Sequence, residues 1–182
     1  TNTAFGSEAL RENTTASNNT GLGYNALFAN TTGTKNVAVG AYALDANTTA
    51  DQNTSIGYAS LSANTTGAEN VAVGDEALAS NTDGDRNTGL GRASLSVNTT
   101  GEHNVAVGYA ALYANTTSNQ NTAVGYYALV ANTTGAQNTA VGSNALDSNT
   151  TGGSNTALGW EAGESNVTGN HNTFVGRSAG KR

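Results

Sequence analysis

The stretch Asn104–Gln120 reads NVAVGYAALYANTTSNQ, and the same 17-residue pattern starts again at Asn121. A fixed period of this kind is the signature of a repeat protein in which each unit buries its neighbour's face. We number the positions of the unit 1 to 17 from its leading Asn. That Asn recurs without insertion or deletion at Asn2, Asn19, Asn36, Asn53, Asn70, Asn87, Asn104, Asn121, Asn138, Asn155 and Asn172.

The first half of the unit predicts a short strand followed by a corner. Position 2 is Thr or Val, position 3 is small until Phe174, position 4 is apolar and position 5 is always Gly. Alternation of this kind is typical of a strand, and the Gly favours a turn. Positions 8 and 9 read Ala-Leu or Ser-Leu in nine units, which suits a 3₁₀ turn, a single helical turn or a strand. We expect positions 4 and 9 to form the core ladder: Val39, Val73, Val107, Val124, Val141, Leu44, Leu61, Leu78, Leu95, Leu112, Leu129 and Leu146.

A second Asn column occupies position 12 and is followed by Thr-Thr in most units. An inward-turned Asn can bond the backbone of its own corner and the amide of the Asn in the next coil. We therefore expect two structural Asn ladders, at positions 1 and 12. The second comprises Asn13, Asn30, Asn47, Asn64, Asn81, Asn98, Asn115, Asn132, Asn149 and Asn166.

The predicted fold is all-β: a parallel β-solenoid, or β-roll, of about eleven 17-residue coils, with room for a short 3₁₀ or helical turn in each coil. One repeat domain covers residues 1–182. Coils stacked at ~4.8 Å would give a rod roughly 50 Å long. The terminal units carry no obvious capping element, so strand edges would be left unpaired at both ends.

Units of the form Asn-Thr-Ala-Val-Gly-Tyr-x-Ala-Leu-x-x-Asn-Thr-Thr-Gly resemble repeats of phage tail-fibre proteins and bacterial surface proteins. The Asn-Val-Ala-Val-Gly core at 36–40, 70–74 and 104–108 is similar to the head repeat of trimeric autotransporter adhesins. This resemblance implies a left-handed parallel β-roll, three chains to a trimer, and an extracellular location. The last two units depart from the pattern, with Ala162-Gly163 and Ala179-Gly180 in place of Ala-Leu.

Composition and motifs argue against catalysis and against nucleic acid. The net charge is −6 with 7 scattered basic residues, whereas nucleic-acid binding favours a clustered basic face. There is no Cys, no apolar run long enough to insert into a membrane, and no cofactor motif. His103 and His171 fall four units apart, and Asp83-Gly84-Asp85 lacks the remaining ligands of a calcium loop. We expect no enzyme activity, no cofactor and no metal.

Two surface columns are candidate contact sites. Aromatic residues cluster at positions 6 and 7, where outward rings could bind a glycan or a receptor, or could instead pack over the next coil. The position-6 members are Tyr24, Tyr58, Tyr109, Tyr126 and Trp160. Thr columns at positions 13 and 14 could form the flat face of an ice-binding protein, and Asn-Thr-Thr is also a formal glycosylation acceptor.

The favoured hypothesis is a non-enzymatic extracellular structural protein, the shaft of a fibre or adhesin or the subunit of a filament. It would assemble as a homo-oligomer, either a parallel trimer or a head-to-tail filament. Small residues at positions 3, 8 and 11 leave room for lateral contact. The alternative is an ice-binding solenoid.

Overall fold

The computed structural model, which describes residues 1–181, confirms a parallel β-solenoid. Each unit contributes one three-residue strand at positions 2–4, and the strands pair in chain order into a single parallel sheet. The register joins equivalent positions, as in the pairing of Val105 with Thr122. No helix occurs among the described residues. The strands are β1 Thr3–Phe5, β2 Thr20–Leu22, β3 Val37–Val39, β4 Thr54–Ile56, β5 Val71–Val73, β6 Thr88–Leu90, β7 Val105–Val107, β8 Thr122–Val124, β9 Thr139–Val141, β10 Thr156–Leu158 and β11 Thr173–Val175.

Backbone hydrogen bonds join the coils well beyond the strands. The Leu44 amide donates to the Ser60 carbonyl of the next coil at 3.0 Å. The Gln52 amide, at position 17, donates to the Thr34 carbonyl of the preceding coil at 3.0 Å. Buried backbone groups need such partners, because water cannot reach them. The coils are therefore bonded to their neighbours around most of their circumference, which favours a stiff rod.

The segment at positions 6–11 is not the 3₁₀ or helical turn allowed for by the sequence. Two successive turns are closed by the bonds from Ala43 N to Gly40 O and from Asn47 N to Leu44 O. Tyr42, inside the first turn, and Leu44, at the start of the second, have positive φ values of 58° and 53°. A right-handed helix needs consecutive residues with negative φ, so these left-handed residues prevent it. They also break strand alternation, which allows positions 8 and 9 to be buried side by side.

The Leu half of the predicted core is confirmed. The Leu residues at position 9 from Leu44 to Leu146 are fully buried, together with the small residues at positions 3 and 8 around them. Gly21 illustrates the close packing at position 3: a Cβ there would lie 3.1 Å from the Ala26 carbonyl oxygen and 3.4 Å from the Leu10 side chain. The first nine coils therefore have one large core residue each rather than two.

The position-4 half of the predicted core is wrong. Position 3 points inward, and a three-residue strand must then turn positions 2 and 4 to the opposite face. Val141 is 39% exposed, and the other position-4 Val residues are partly exposed. The physical reason is that Leu at position 9 already fills the interior, so the small side chain turns inward. The misplaced residues are Val39, Val73, Val107, Val124 and Val141.

Every coil turns a corner at the Gly of position 5. Gly108 has a φ of 133°, a conformation that side chains rarely adopt, and a Cβ on it would lie 2.4 Å from the Gly125 carbonyl oxygen. The invariance of this Gly therefore follows from its φ and from the close approach of the next coil.

Phe174 closes the last part of the core, where the sequence suggested no cap. It occupies position 3, lies partly buried and packs against the core. Gly163 and Gly180 stand where other coils have Leu, and a Cβ on Gly180 would lie 2.4 Å from the Phe174 ring. One aromatic ring thus occupies space that the missing Leu side chains leave.

Candidate interaction surfaces

The position-1 Asn residues link backbone to backbone across coils. Oδ1 of Asn19 accepts from the backbone N–H of Asn36 in the next coil at 2.9 Å. Nδ2 of Asn36 donates to the Ala50 carbonyl of its own coil at 2.8 Å. Asn36 is fully buried. The predicted structural role of this column is confirmed, with the backbone as its main partner.

The position-12 Asn residues bond to each other directly. Nδ2 of Asn47 donates to Oδ1 of Asn30 at 2.8 Å and also to the Ala50 carbonyl at 3.2 Å. The Ala50 carbonyl therefore accepts from both Asn columns. Both residues are fully buried, so their Asn-Thr-Thr sequences are inaccessible to glycosylation in the folded chain. The terminal members Asn2, Asn13, Asn166 and Asn172 are more exposed than the rest.

An uncharged stripe, apolar at position 4 and Thr or Val at position 2, runs along the outer face of the sheet. We define the strand stripe as the side chains at positions 2 and 4 of all eleven units. Its position-4 members include Leu22, Ile56 and Leu158, exposed by 42%, 39% and 40%. All 20 Asp, Glu, Lys and Arg residues of the chain fall at positions 6, 7, 10, 11, 14, 16 or 17. The strand stripe is thus an accessible face from which charge is excluded.

The Thr columns divide into a bonded and an exposed one. The Thr31 hydroxyl, at position 13, donates to the Thr48 carbonyl of the next coil at 3.0 Å. The same bond recurs from Thr99 to Thr116 at 3.0 Å. Position 14 is exposed in every coil that has it. Position 13 therefore contributes to coil-to-coil bonding, and of these two columns position 14 is the one that presents its side chains to solvent.

The aromatic rings lie at the surface and pack on one another along the axis. Tyr42 lies between Tyr24 and Tyr58, with centroid distances of 5.3 and 6.0 Å and edge-to-face geometry. Tyr109 and Tyr126 are stacked at 5.4 Å with their planes 15° apart. Rings at positions 6 and 7 thus stabilise each other across coils while remaining accessible, with Tyr24 48% and Tyr126 51% exposed.

The Tyr109 cluster borders a groove of about 400 Å³ that crosses four coils. We call it the tyrosine trench. Its floor is formed by Ala93 and Ala110, which are 7% and 5% exposed. Both stand at position 7, where the neighbouring coils have Glu76 and Tyr127. The complete lining is Glu76, Arg92, Ala93, Tyr109, Ala110, Tyr113, Tyr127 and Val130.

Arg92 fixes the charge at one end of the tyrosine trench. Its Nε donates to Asp75 Oδ2 at 3.0 Å, and its Nη1 donates to the Tyr109 hydroxyl at 3.1 Å. The guanidinium also lies 5.6 Å from the Tyr109 ring centroid, within cation–π range. The hydrogen bond with Asp75 raises the pKa of Arg92 above its ordinary value. The last predicted aromatic contact, Trp160, lies apart and is covered by Arg177 at 4.8 Å.

The titratable groups are dispersed. His103 and His171 are exposed at position 17. Within residues 1–181, no three His, Cys, Asp or Glu side chains come together as a metal site. Asp83 accepts from the Thr66 hydroxyl at 2.6 Å, and this bond lowers the pKa of its carboxyl. Burial raises the pKa of Asp45. Residues 1–181 contain no helix, and therefore none that is long and apolar enough to cross a membrane.

Comparison with protein-family models, with curated proteins and with solved structures finds no match to this chain. The resemblance to fibre and adhesin repeats therefore rests on the sequence of the 17-residue unit alone.

Proposed function

We propose that this chain is a non-enzymatic, extracellular structural protein that forms a stiff shaft by associating side by side with copies of itself through the strand stripe. One observation carries the proposal: the stripe has an apolar, at least partly exposed side chain at position 4 of all eleven coils beside Thr or Val at position 2, while every charged side chain lies elsewhere. Contiguous surfaces rich in exposed apolar side chains mark interaction sites. The extracellular location and the parallel trimer are supported by the resemblance to fibre and adhesin repeats.

The dimensions of the strand stripe suit a second copy. It is two side chains wide and roughly 50 Å long on a ~4.8 Å coil spacing. A stripe about 10 Å wide would bury roughly 1,000 Å² between two chains, near the lower limit for a specific interface. Because the partner must be equally long and straight, a second rod of the same chain fits better than a compact partner. In a trimer each chain would share the stripe around a common axis.

Paired charge substitutions test this interface. Val73→Lys with Val107→Lys places two ammonium groups in the strand stripe. Thr100→Lys with Thr117→Lys adds the same charge to the exposed position-14 column. By light scattering we expect the unaltered chain to have a multiple of 18.2 kDa and the stripe variant to fall to 18.2 kDa while still melting cooperatively. The position-14 variant should keep the larger mass. An unaltered chain at 18.2 kDa, or a stripe variant that keeps the assembly, would contradict the proposal.

Two other assemblies or functions are distinguished by further measurements. Head-to-tail stacking, the other assembly considered, would produce continuous fibres in negative-stain microscopy. Ice binding has in its favour the exposed hydroxyl column at position 14, repeated at ~4.8 Å. Thermal hysteresis at micromolar protein would support ice binding, whereas a structural shaft should show none.

A further inference from the structure

We infer that the tyrosine trench is a binding site for a neutral oligosaccharide of two or three sugar residues. The trench lies at positions 6, 7 and 10, away from the strand stripe at positions 2 and 4. This inference therefore does not depend on the proposed assembly, and either can fail without the other.

The trench exists because two adjacent coils have a small residue at position 7. Position 7 is Tyr42, Ala59 and Glu76 in three successive coils, then Ala93 and Ala110, and then the larger Tyr127. Two adjacent coils with Ala at this position leave a floor about 10 Å long at a ~4.8 Å spacing. Such a floor has the length of two pyranose rings laid end to end.

The walls of the trench present aromatic rings on both sides of that floor. Tyr109 stands at position 6 and is 37% exposed, while Tyr113 stands at position 10 and is 43% exposed. Tyr127 lies at one end, 5.4 Å from the Tyr109 ring. Tyr offers an apolar face with a polar tip. Arg92 and Tyr126 pack on the Tyr109 ring, so the C–H face of a pyranose packs on Tyr113, and its hydroxyls bond to the phenolic groups.

The polar groups at the other end favour a neutral polyol. Glu76 supplies hydrogen-bond acceptors and Arg92 supplies donors, while Asp75, outside the lining, pairs with Arg92 from behind. A pair of neighbouring sugar hydroxyls both donates and accepts, so it can use the two kinds of group together. The two carboxylates and one guanidinium leave this end with a formal charge of −1, and the whole chain carries −6, which disfavours an anionic glycan.

Two other occupants of an aromatic groove fit less well. A quaternary ammonium ion in the trench would lie close to the Arg92 guanidinium, which is 5.6 Å from the Tyr109 centroid and would repel it. A proline-rich peptide could stack on tyrosines, but its prolines carry no donor for Glu76. Both become outcomes of the test.

The test uses the full chain and a panel of defined probes. Cellotriose, xylotriose, mannotriose and maltotriose represent neutral oligosaccharides; sialyllactose, choline and a proline decamer represent the competing classes. We expect saturation-transfer NMR and calorimetry to detect at least one neutral trisaccharide and none of the competitors. Absence of binding by all four neutral probes, or binding of a competitor alone, would overturn the inference.

Two variants locate the site. Ala110→Tyr fills the floor with a residue that the fold already accepts at position 7 in Tyr42 and Tyr127, with closely similar φ values of 52°, 58° and 56°. Tyr113→Ala removes one wall. Each should weaken binding roughly tenfold or more. Tyr58→Ala is the matched control, because it removes an exposed Tyr outside the trench, and it should bind normally. Ala110→Tyr adds aromatic surface but fills the floor of the trench. If this variant binds the trisaccharide as tightly as the unaltered chain does, the inference is overturned.

Discussion

Nδ2 of Asn98 donates a hydrogen bond of 2.8 Å to Oδ1 of Asn81, its counterpart one coil earlier, and both side chains are fully buried. The same nitrogen donates to the Gly101 carbonyl at 3.0 Å. Asn98→Asp keeps the shape but removes both donors and sets carboxylate oxygens against two acceptors. We expect the free energy of unfolding, measured with urea, to fall by about 3 kcal/mol or more.

Asn119→Asp provides the control for that substitution. Asn119 Oδ1 accepts from the Glu102 amide at 2.7 Å, and Asp51 and Asp85 already accept from Thr34 and Ala68 at the same position in other coils. We expect this change to alter stability by less than about 0.5 kcal/mol. Similar losses for both variants would show that the Asn ladder has no special role.

Gly108→Ala should be severely destabilising because its Cβ would lie 2.4 Å from the Gly125 carbonyl oxygen. Left-handed strain and this collision together should lower the free energy of unfolding by about 3 kcal/mol or more. Gly176→Ala shares the positive φ, at 118°, but its Cβ would meet nothing within 4 Å. Thermal unfolding should show a clearly smaller loss of stability for Gly176→Ala than for Gly108→Ala. Equal losses of stability in the two variants would mean that the positive φ alone, without the close approach of the next coil, requires Gly at position 5.

The two columns once expected to form the core should respond differently to truncation. Leu112 is fully buried, so Leu112→Ala should lower the free energy of unfolding by about 2–5 kcal/mol. Val107 lies on the outer face, so Val107→Thr should lower it by less than about 1 kcal/mol. Urea titration of both variants measures the difference. A larger loss of stability for Val107→Thr than for Leu112→Ala would mean that position 4 belongs to the core after all.

Asp45 should make stability depend on pH in the opposite direction to Asp83. Burial raises the folded-state pKa of Asp45 above its ordinary value of 3.8, and its Oδ1 has no hydrogen-bond partner among the described residues. The ionised carboxyl therefore opposes folding above that raised pKa, and the penalty disappears as the pH falls below 3.8. Asp45→Ser should be more stable than the unaltered chain at pH 7 and equal to it near pH 3.

Asp83→Ser should show the reverse sign. Hydrogen bonds from Thr66 and Thr82 lower the pKa of Asp83, so its contribution is present above the ordinary pKa and is lost as the pH falls through the folded-state pKa. The variant should be slightly less stable than the unaltered chain at pH 7. Unfolding curves at pH 7 and pH 3 measure both variants. A gain for Asp83→Ser, or a loss for Asp45→Ser, at pH 7 would contradict these assignments.

The period of the sequence was enough to predict the solenoid, the Leu ladder and both Asn columns, because each depends on equivalent positions stacking. The side of the sheet that faces inward was harder. Ala106 and Val107 are both apolar, and alternation by itself does not say which one is buried. The deciding residue is Leu112, which fills the interior from another part of the coil. The prediction chose position 4 because its side chain is larger than the one at position 3, and that choice was wrong.

The turn conformation and the trench could not be predicted from the sequence of a single unit either. Leu44 carries no local signal for positive φ, which Gly and Asn adopt more readily. Its conformation is set by burial and by bonds to the next coil. The trench needs Ala93 and Ala110 to be compared down one column, with Tyr113 in another. Alignment of the units by position would have revealed this gap.

Small-angle X-ray scattering at known concentration tests lateral assembly most directly, because it gives mass and length together. A single chain of eleven coils is roughly 50 Å long on a ~4.8 Å spacing. Side-by-side association predicts particles of about that length, with a mass that is a multiple of 18.2 kDa and a cross-section wider than one coil. Particles of 18.2 kDa, or particles that lengthen with mass at the cross-section of one chain, would contradict it.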